Sequence, residues 1–271
     1  MIGRVPGLTD RALLAARDGS EVWRARWRDG SLVAVKILTS TRPDRVARFE
    51  IEGRILVAVG GRCGLVGLVE RLTDPLALVL EYLPSGNLRD RVREGSPGLT
   101  IAEGCRVVAR VAEAAAWLHR NDIIHRDIKP SNILLGERDE VRLTDLGVAA
   151  WGSPARGSPS RFEDTEVGTL GWAAPELLRQ PNTATVAVDV YGLGATIYEL
   201  LTGHLPYDFG ATESTESYRT RIRDGEPAIP IQHRTQVPAA LAAVVNAALA
   251  TAPDHRPESA EAFGAQLLRF A

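Results

Sequence analysis

His125-Arg126-Asp127-Ile128-Lys129-Pro130-Ser131-Asn132 places a carboxylate, a lysine two residues on and an amide five residues on within one short run. A carboxylate can accept or orient a hydroxyl proton, an ammonium can neutralise a moving anionic group, and an amide oxygen can serve a hard cation. Phosphoryl transfer needs these parts together. A surface turn ending at Pro130 would need none of these side chains in this order. The flanks also argue against a simple turn, because Ile123-Ile124 precedes the run and Ile133-Leu134-Leu135 follows it. That pattern predicts a loop gripped at both ends by buried strands.

The run resembles the catalytic loop of eukaryotic-type protein kinases, and Lys129 resembles the Ser/Thr branch of that family. Other motifs follow in the family's order. Val33-Ala34-Val35-Lys36 resembles the strand that carries the nucleotide lysine. Its period of two sets Val33 and Val35 on one face and Ala34 and Lys36 on the other. A helix is expected from about Asp44 to Val59, with Phe49, Leu56 and Val59 as its apolar stripe. The resemblance makes Glu52 the partner of Lys36. Glu50 is the rival, and Glu52 is preferred because Leu56 and Val59 follow it at helical spacing. Asp145-Leu146-Gly147, after the alternating Val141-Arg142-Leu143, resembles the Asp-Phe-Gly magnesium motif with Leu146 as the apolar plug.

Further on, Gly168-Thr169 and Ala174-Pro175-Glu176 resemble the substrate-docking loop and its anchor. The resemblance implies a buried Glu176 paired with Arg256, since a buried carboxylate without a partner is costly. Asp189 resembles the acidic residue that accepts hydrogen bonds from the catalytic-loop backbone. Leu78-Val79-Leu80-Glu81-Tyr82-Leu83 resembles the hinge. Leu80 is then the gatekeeper, the Glu81 carbonyl and Leu83 backbone read the adenine edge, and Leu134 forms the pocket floor.

One segment departs from the family. Its phosphate-covering loop has three glycines before a valine, whereas this chain has Leu14-Ala15-Ala16-Arg17-Asp18-Gly19-Ser20-Glu21-Val22. Aligned on Val22, the glycine positions hold Ala15, Arg17 and Ser20. Glycine there lets the backbone approach phosphate closely, so side chains at these positions are expected to hold the lid away. Arg17 either compensates by charge or obstructs.

The chain has 271 residues, 45% of them hydrophobic, enough for a sizeable core. Its 32 basic and 34 acidic residues leave a net charge of −2, which gives no argument for a nucleic-acid or membrane-surface partner. Cys63 and Cys105 match no metal or disulfide spacing, so a reducing cytoplasm is the expected setting. No apolar run reaches the roughly 18 residues of a membrane-spanning helix; Leu241 to Leu249 is short and interrupted by Asn246. No signal pattern or internal repeat is evident.

Residues 1–83 are expected to form a small antiparallel-sheet lobe with one main helix, which binds nucleotide. Residues 84–271 are expected to form a larger, mostly helical lobe with the catalytic loop, activation segment and docking surface. Arg106 to His119 reads as a helix within it. The fold class implied is α+β, the bilobal protein kinase fold. The stretch between Asp145 and Ala174 is rich in Gly, Pro and Ser and stands where an activation segment would. There Thr165 is the expected self-phosphorylated residue and Arg126 the guanidinium that would clamp its phosphate.

The resemblance implies ATP and Mg²⁺ as cofactors and protein substrates as partners. Asp127, Lys129, Lys36 and Glu52 would be catalytic. Asn132 and Asp145 would hold the metal. Residues 14–22, with Ala34, Lys36, Leu80, Glu81, Leu83 and Leu134, would surround the nucleotide. Two other classes compete: a kinase-fold enzyme acting on a small molecule, and a non-catalytic module of the same fold. Lys129 and the docking segment argue against the first. Only the altered glycine loop supports the second.

Overall fold

The computed structural model describes residues 2–17, 19–92, 98–137, 140–152 and 170–271. Five strands open the chain: β1 (Thr9–Arg17), β2 (Ser20–Arg26), β3 (Leu32–Leu38), β4 (Leu68–Thr73) and β5 (Leu76–Glu81). They form one antiparallel sheet in the order β1-β2-β3-β5-β4. Helix α1 (Pro43–Val59) lies between β3 and β4. The following lobe is mainly helical: α2 (Ile101–His119), α3 (Pro175–Arg179), α4 (Ala187–Thr202), α5 (Thr215–Asp224), α6 (Ala239–Ala248) and α7 (Ala260–Leu267). Two small antiparallel strand pairs complete it, β7 (Ile133–Leu135) with β8 (Val141–Leu143) and β6 (Ile123–Ile124) with β9 (Ala150–Trp151). This is the expected two-lobed α+β fold.

The sheet separates two cores because its residues alternate faces. Val33, Val35 and Ile37 of β3 and Ala77 and Val79 of β5 pack with Val5 and Leu8 of the N-terminal segment. Cross-strand partners share a face, so Val22 opposite Lys36 and Leu80 opposite Ala34 put all four on the other face. There Phe49, Ile55 and Leu56 of α1 join Leu80 in the main core, which continues through α2 and α4.

Local chemistry sets the helix ends. Pro43 fits the first turn of α1, where its missing N–H costs nothing, and the Gly60 N–H closes the last turn on the Leu56 carbonyl. Helix α2 starts at Ile101, five residues before the expected Arg106. Thr100 and Glu103 form a reciprocal capping box there, with the Thr100 side chain accepting from the Glu103 N–H. That pair satisfies two orphan donors and adds the extra turn. Helix α4 is buried along nearly its whole length. A Cβ at Gly192 would stand 2.9 Å from the Ile128 carbonyl, and one at Gly194 would stand 2.7 Å from the Ala248 Cβ. The two glycines let the catalytic loop and α6 close onto α4.

Arg256 reaches back to α3. Its Nη1 donates to Glu176 Oε1 at 2.6 Å and its Nη2 to Oε2 at 2.8 Å, a bidentate pair. The expected burial falls on the other partner: the Arg256 side chain is fully enclosed, whereas Glu176 retains 19% exposure. Glu176 stands at the helix start, where one side still meets water. Glu176→Ala is expected to cost about 3 kcal/mol in chemical denaturation, because it strands a buried guanidinium. Glu176→Gln, which retains an acceptor, should cost less.

Candidate active site

The Lys36 Nζ lies 2.8 Å from both Glu52 carboxylate oxygens and 3.1 Å from Asp145 Oδ1. Three elements supply this cluster: β3, α1 and the segment leaving β8. Glu50 points elsewhere, to Arg71 on β4, so the helical register favours Glu52. Burial alone would depress the lysine, but Asp145 and Glu52 outweigh it and raise its pKa. Burial pushes Glu52 up, against the pull of Lys36. Asp145 is held down at about 2, chiefly by the Lys36 charge. Its side chain is 44% exposed, so an ionised carboxylate faces the cleft.

Asp127, Lys129 and Asn132 form a second cluster. Lys129 Nζ stands 2.9 Å from Asp127 Oδ2. Asn132 Nδ2 donates to the Asp127 carbonyl at 2.8 Å and to Oδ2 at 2.9 Å. Burial raises the Asp127 pKa, and Lys129 opposes that rise. The charges of Asp127 and Asp145 act on each other, so the two clusters face one site. Leu146 is buried in the main core beneath it, as an apolar plug requires.

The loop backbone is fixed from below by Asp189 of α4. Its Oδ2 accepts from the His125 N–H at 2.9 Å, and its Oδ1 from the Arg126 N–H at 2.7 Å. Arg126 has φ +66, a conformation that L side chains rarely adopt. The paired amides compensate for that strain. His119, at the end of α2, donates from Nε2 to Asp189 Oδ2 at 2.7 Å, and His125 Nε2 donates to the Thr144 carbonyl at 3.0 Å. Burial would raise Asp189, but these donors outweigh it and its pKa is lowered. Sequence reasoning missed His119, because a histidine closing an amphipathic helix carries no signal of a partner seventy residues away.

Arg126 does not present a free guanidinium. Its Nε donates to the Val148 carbonyl at 2.6 Å and its Nη1 to the Pro181 carbonyl at 3.4 Å, and burial lowers its pKa to about 10. It ties chain on either side of residues 153–169. Thr165, Gly168 and Thr169, together with Asp18, lie outside the described residues.

Sheet register places the remaining nucleotide candidates. Ala15 pairs with Val22 and Arg17 with Ser20, on the face shared by Val22, Ala34, Lys36 and Leu80. Leu14, Ala15, Ala16 and Arg17 are exposed, and Gly19, Ser20, Glu21 and Val22 are half-buried. Ala34 and Leu134 are half-buried, while Leu80 and Leu83 are buried. Among the described residues from Leu14 to Val22, positive φ occurs only at Gly19 (+73), whose carbonyl accepts from the Thr39 and Ser40 N–H groups. Ala15, Arg17 and Ser20 therefore carry none of the backbone strain that would demand glycine.

The donor set fits a magnesium–nucleotide pair. Both Asn132 amide hydrogens point at Asp127, which leaves its Oδ1 as an acceptor. With the Asp145 carboxylate this makes two hard oxygen donors. Among the described residues no group of three or more His, Cys, Asp or Glu could hold a metal by itself. A site with one carboxylate and one amide suits a cation that draws its other ligands from phosphates and water.

Comparison with known proteins agrees with the geometry. The protein kinase domain family matches residues 18–268. The serine/threonine-protein kinase PknB of Mycolicibacterium smegmatis is 31% identical over 245 residues, 88% of this chain and 38% of that protein. PkaA of Streptomyces coelicolor is 33% identical over 260 residues, covering 88% and 45%. PknK of Mycobacterium bovis is 33% identical over 241 residues, covering 87% and 21%. The chain thus spans less than half the length of these relatives. Its motifs, fold and relatives together establish that the chain belongs to the protein kinase domain family, in the bacterial-like Ser/Thr branch.

Proposed function

We propose that this chain catalyses ATP- and magnesium-dependent phosphorylation of Ser and Thr hydroxyls on protein substrates, itself among them. The observation that carries the reading is the joining of Lys36, Glu52 and Asp145 to Asp127, Lys129 and Asn132 across one cleft. ATP with Mg²⁺, when bound, supplies the transferable phosphoryl group; Asn132 and Asp145 would hold the metal. Residues 1–83 carry the nucleotide side of the reaction and residues 84–271 the acceptor side. The Glu81 carbonyl and the Leu83 backbone read the adenine edge, with Val22, Ala34 and Leu134 against its faces and Leu80 behind it. Glu52 fixes Lys36, which steadies the nucleotide phosphates.

Asp127 orients the acceptor hydroxyl and takes its proton. Lys129 offsets negative charge beside it, and Asn132 holds Asp127 in place through two hydrogen bonds. The free, widely separated Cys63 and Cys105 and the need for ATP fit a cytoplasmic placement of this segment. No helix among the described residues is long and apolar enough to cross a membrane. Incubation with labelled ATP, Mg²⁺ and either peptides or small hydroxylated metabolites tests the reading. Label on peptides and on the chain's own Ser or Thr supports it, whereas label on metabolites alone, or on nothing, sinks it.

Asp145→Asn and Asp127→Asn should both abolish transfer, by separate routes. Asp145→Asn should weaken nucleotide binding only when Mg²⁺ is present, and Asp127→Asn should bind nucleotide normally. Equal affinities in both variants under both conditions would contradict the two roles.

Lys36→Met and Glu52→Ala should each cut kcat by about 100-fold or more, and the double variant should be little worse than Lys36→Met alone. Glu50→Ala, which breaks only the pair with Arg71, should stay within about three-fold of the parent.

The acid limb of the kcat profile should report Asp127. Burial raises its pKa, so activity is lost as pH falls through that value, while Asp145 stays ionised down to about 2. Lys129→Met removes the opposing charge and should move the acid limb to higher pH in stopped-time assays. An unmoved limb would mean that another group titrates.

A further inference from the structure

Glu81 ends β5, and its carboxylate is held away from the chemistry described so far. Oε1 accepts from the Gly67 N–H at 2.7 Å and from Arg142 Nε at 3.2 Å. The Glu81 N–H donates in return to the Gly67 carbonyl at 2.9 Å. A Cβ at Gly67 would stand 3.3 Å from the Glu81 carboxyl carbon, so the close approach depends on a small residue there. Arg142 is steadied in turn, since its Nη2 meets the Glu140 carboxylate and its Nη1 donates to the Val141 carbonyl at 3.2 Å. Beside this link the Val66 N–H donates to the Leu143 carbonyl at 3.0 Å, and the Leu143 N–H donates to the Gly64 carbonyl at 2.8 Å.

Three lengths of chain meet at that point, and each leads to a different part of the site. The end of β5 leads into the hinge. Residues 64–67 follow α1, which carries Glu52. Strand β8 carries Arg142 three residues before Asp145. Both side chains of the ion pair are partly shielded, with 35% and 26% exposure for Glu81 and Arg142, so their attraction exceeds that of a solvated surface pair. The link coexists with the assembled cluster in which Lys36 meets both Glu52 and Asp145.

We propose that Glu81 and Arg142 are positioning residues, whose ion pair, closed on the Gly67 amide, holds the hinge in register with the strand that delivers Asp145. The role rests on the kinase reading above and adds a side-chain function to a residue whose backbone alone was assigned to adenine. Opening the link lets the hinge and Asp145 move independently, so nucleotide affinity falls while Asp127 and the acceptor side stay as they were.

The test uses the full chain with Arg142→Ala, Glu81→Ala, their combination and Arg142→Lys. It measures kcat, the KM values for ATP and peptide, the equilibrium Kd for a fluorescent ATP analogue, and amide exchange at Gly67. Each single alanine variant should raise the ATP KM and the analogue Kd by about three- to ten-fold, and Arg142→Ala should leave the peptide KM little changed. The double variant should be no worse than either single one, and Arg142→Lys should recover most of the loss. Faster Gly67 exchange in Glu81→Ala reads the link without nucleotide or turnover. A lower Tm with unchanged nucleotide affinity would reduce the pair to a structural contact. Tighter ATP binding or faster turnover would reverse its sense. Either outcome overturns the proposal while leaving the kinase reading intact. A parent chain that neither binds nor uses ATP would sink the kinase reading and the positioning role with it.

Discussion

Lys36 is largely enclosed, and an enclosed ammonium is tolerated only where carboxylates surround it. That requirement draws α1 in through Glu52 and the segment after β8 in through Asp145. Remove the lysine, and two acidic groups would face each other with burial already pushing Glu52 toward its neutral form. The charge arrangement therefore works in both directions. The lysine makes the carboxylates affordable, and they keep the lysine ionised where burial would discharge it. The lobes meet at this point through Asp145, which joins the Lys36–Glu52 pair of the first lobe to the segment after β8.

A comparable constraint fixes the loop on the other side of the cleft. Asp189 takes two backbone N–H groups and a histidine N–H into one carboxylate, so the loop's main chain is held before any side chain contacts a ligand. Gly192, one turn further along α4, removes the side chain that would meet the Ile128 carbonyl. Together they seat residues 125–128 on a helix buried along nearly its whole length. Asp127 is then oriented from a rigid base, and only Lys129 and Asn132 remain to tune its charge and direction.

The candidate site was legible in the sequence wherever a short run carries it. Val33-Ala34-Val35-Lys36, the run from His125 to Asn132 and Asp145-Leu146-Gly147 each combine strand periodicity with residue types that elementary phosphoryl chemistry demands. The preference for Glu52 over Glu50 was also legible, because helical spacing sets Glu52 with the buried residues and leaves Glu50 half-buried against Arg71. What the sequence did not reveal is where long side chains end. Arg126 reads as a waiting cation, yet its guanidinium is already bonded to two carbonyls. Glu81 reads as a backbone contact, yet its carboxylate ties three segments together. Such ends depend on neighbours tens of residues away, and no local pattern encodes them. The start of α2 is a different case, since Thr100 and Glu103 carried the signal and the apolar stripe drew attention past it.

The hairpin between β1 and β2 is built without the family's three glycines, and its backbone explains why. Glycine is needed where φ is positive or where backbone must pass close to another group. Among the described residues of the turn, both needs converge on Gly19, which takes φ +73 and packs so tightly on Ser40 that a Cβ would come within 2.5 Å of that residue's Cβ. Its carbonyl accepts two N–H groups from the segment leaving β3, which anchors the hairpin to the strand that carries Lys36. With Gly19 meeting both needs, Ala15, Arg17 and Ser20 take ordinary extended backbone within β1 and β2. Arg17 then stands on the sheet face that also bears Val22 and Lys36, paired across the strands with Ser20. Where the family's loop offers glycine backbone, this hairpin places a guanidinium on the sheet face that bears Lys36. A guanidinium is a strong donor to anionic oxygen, so this position carries a charge that a glycine could not.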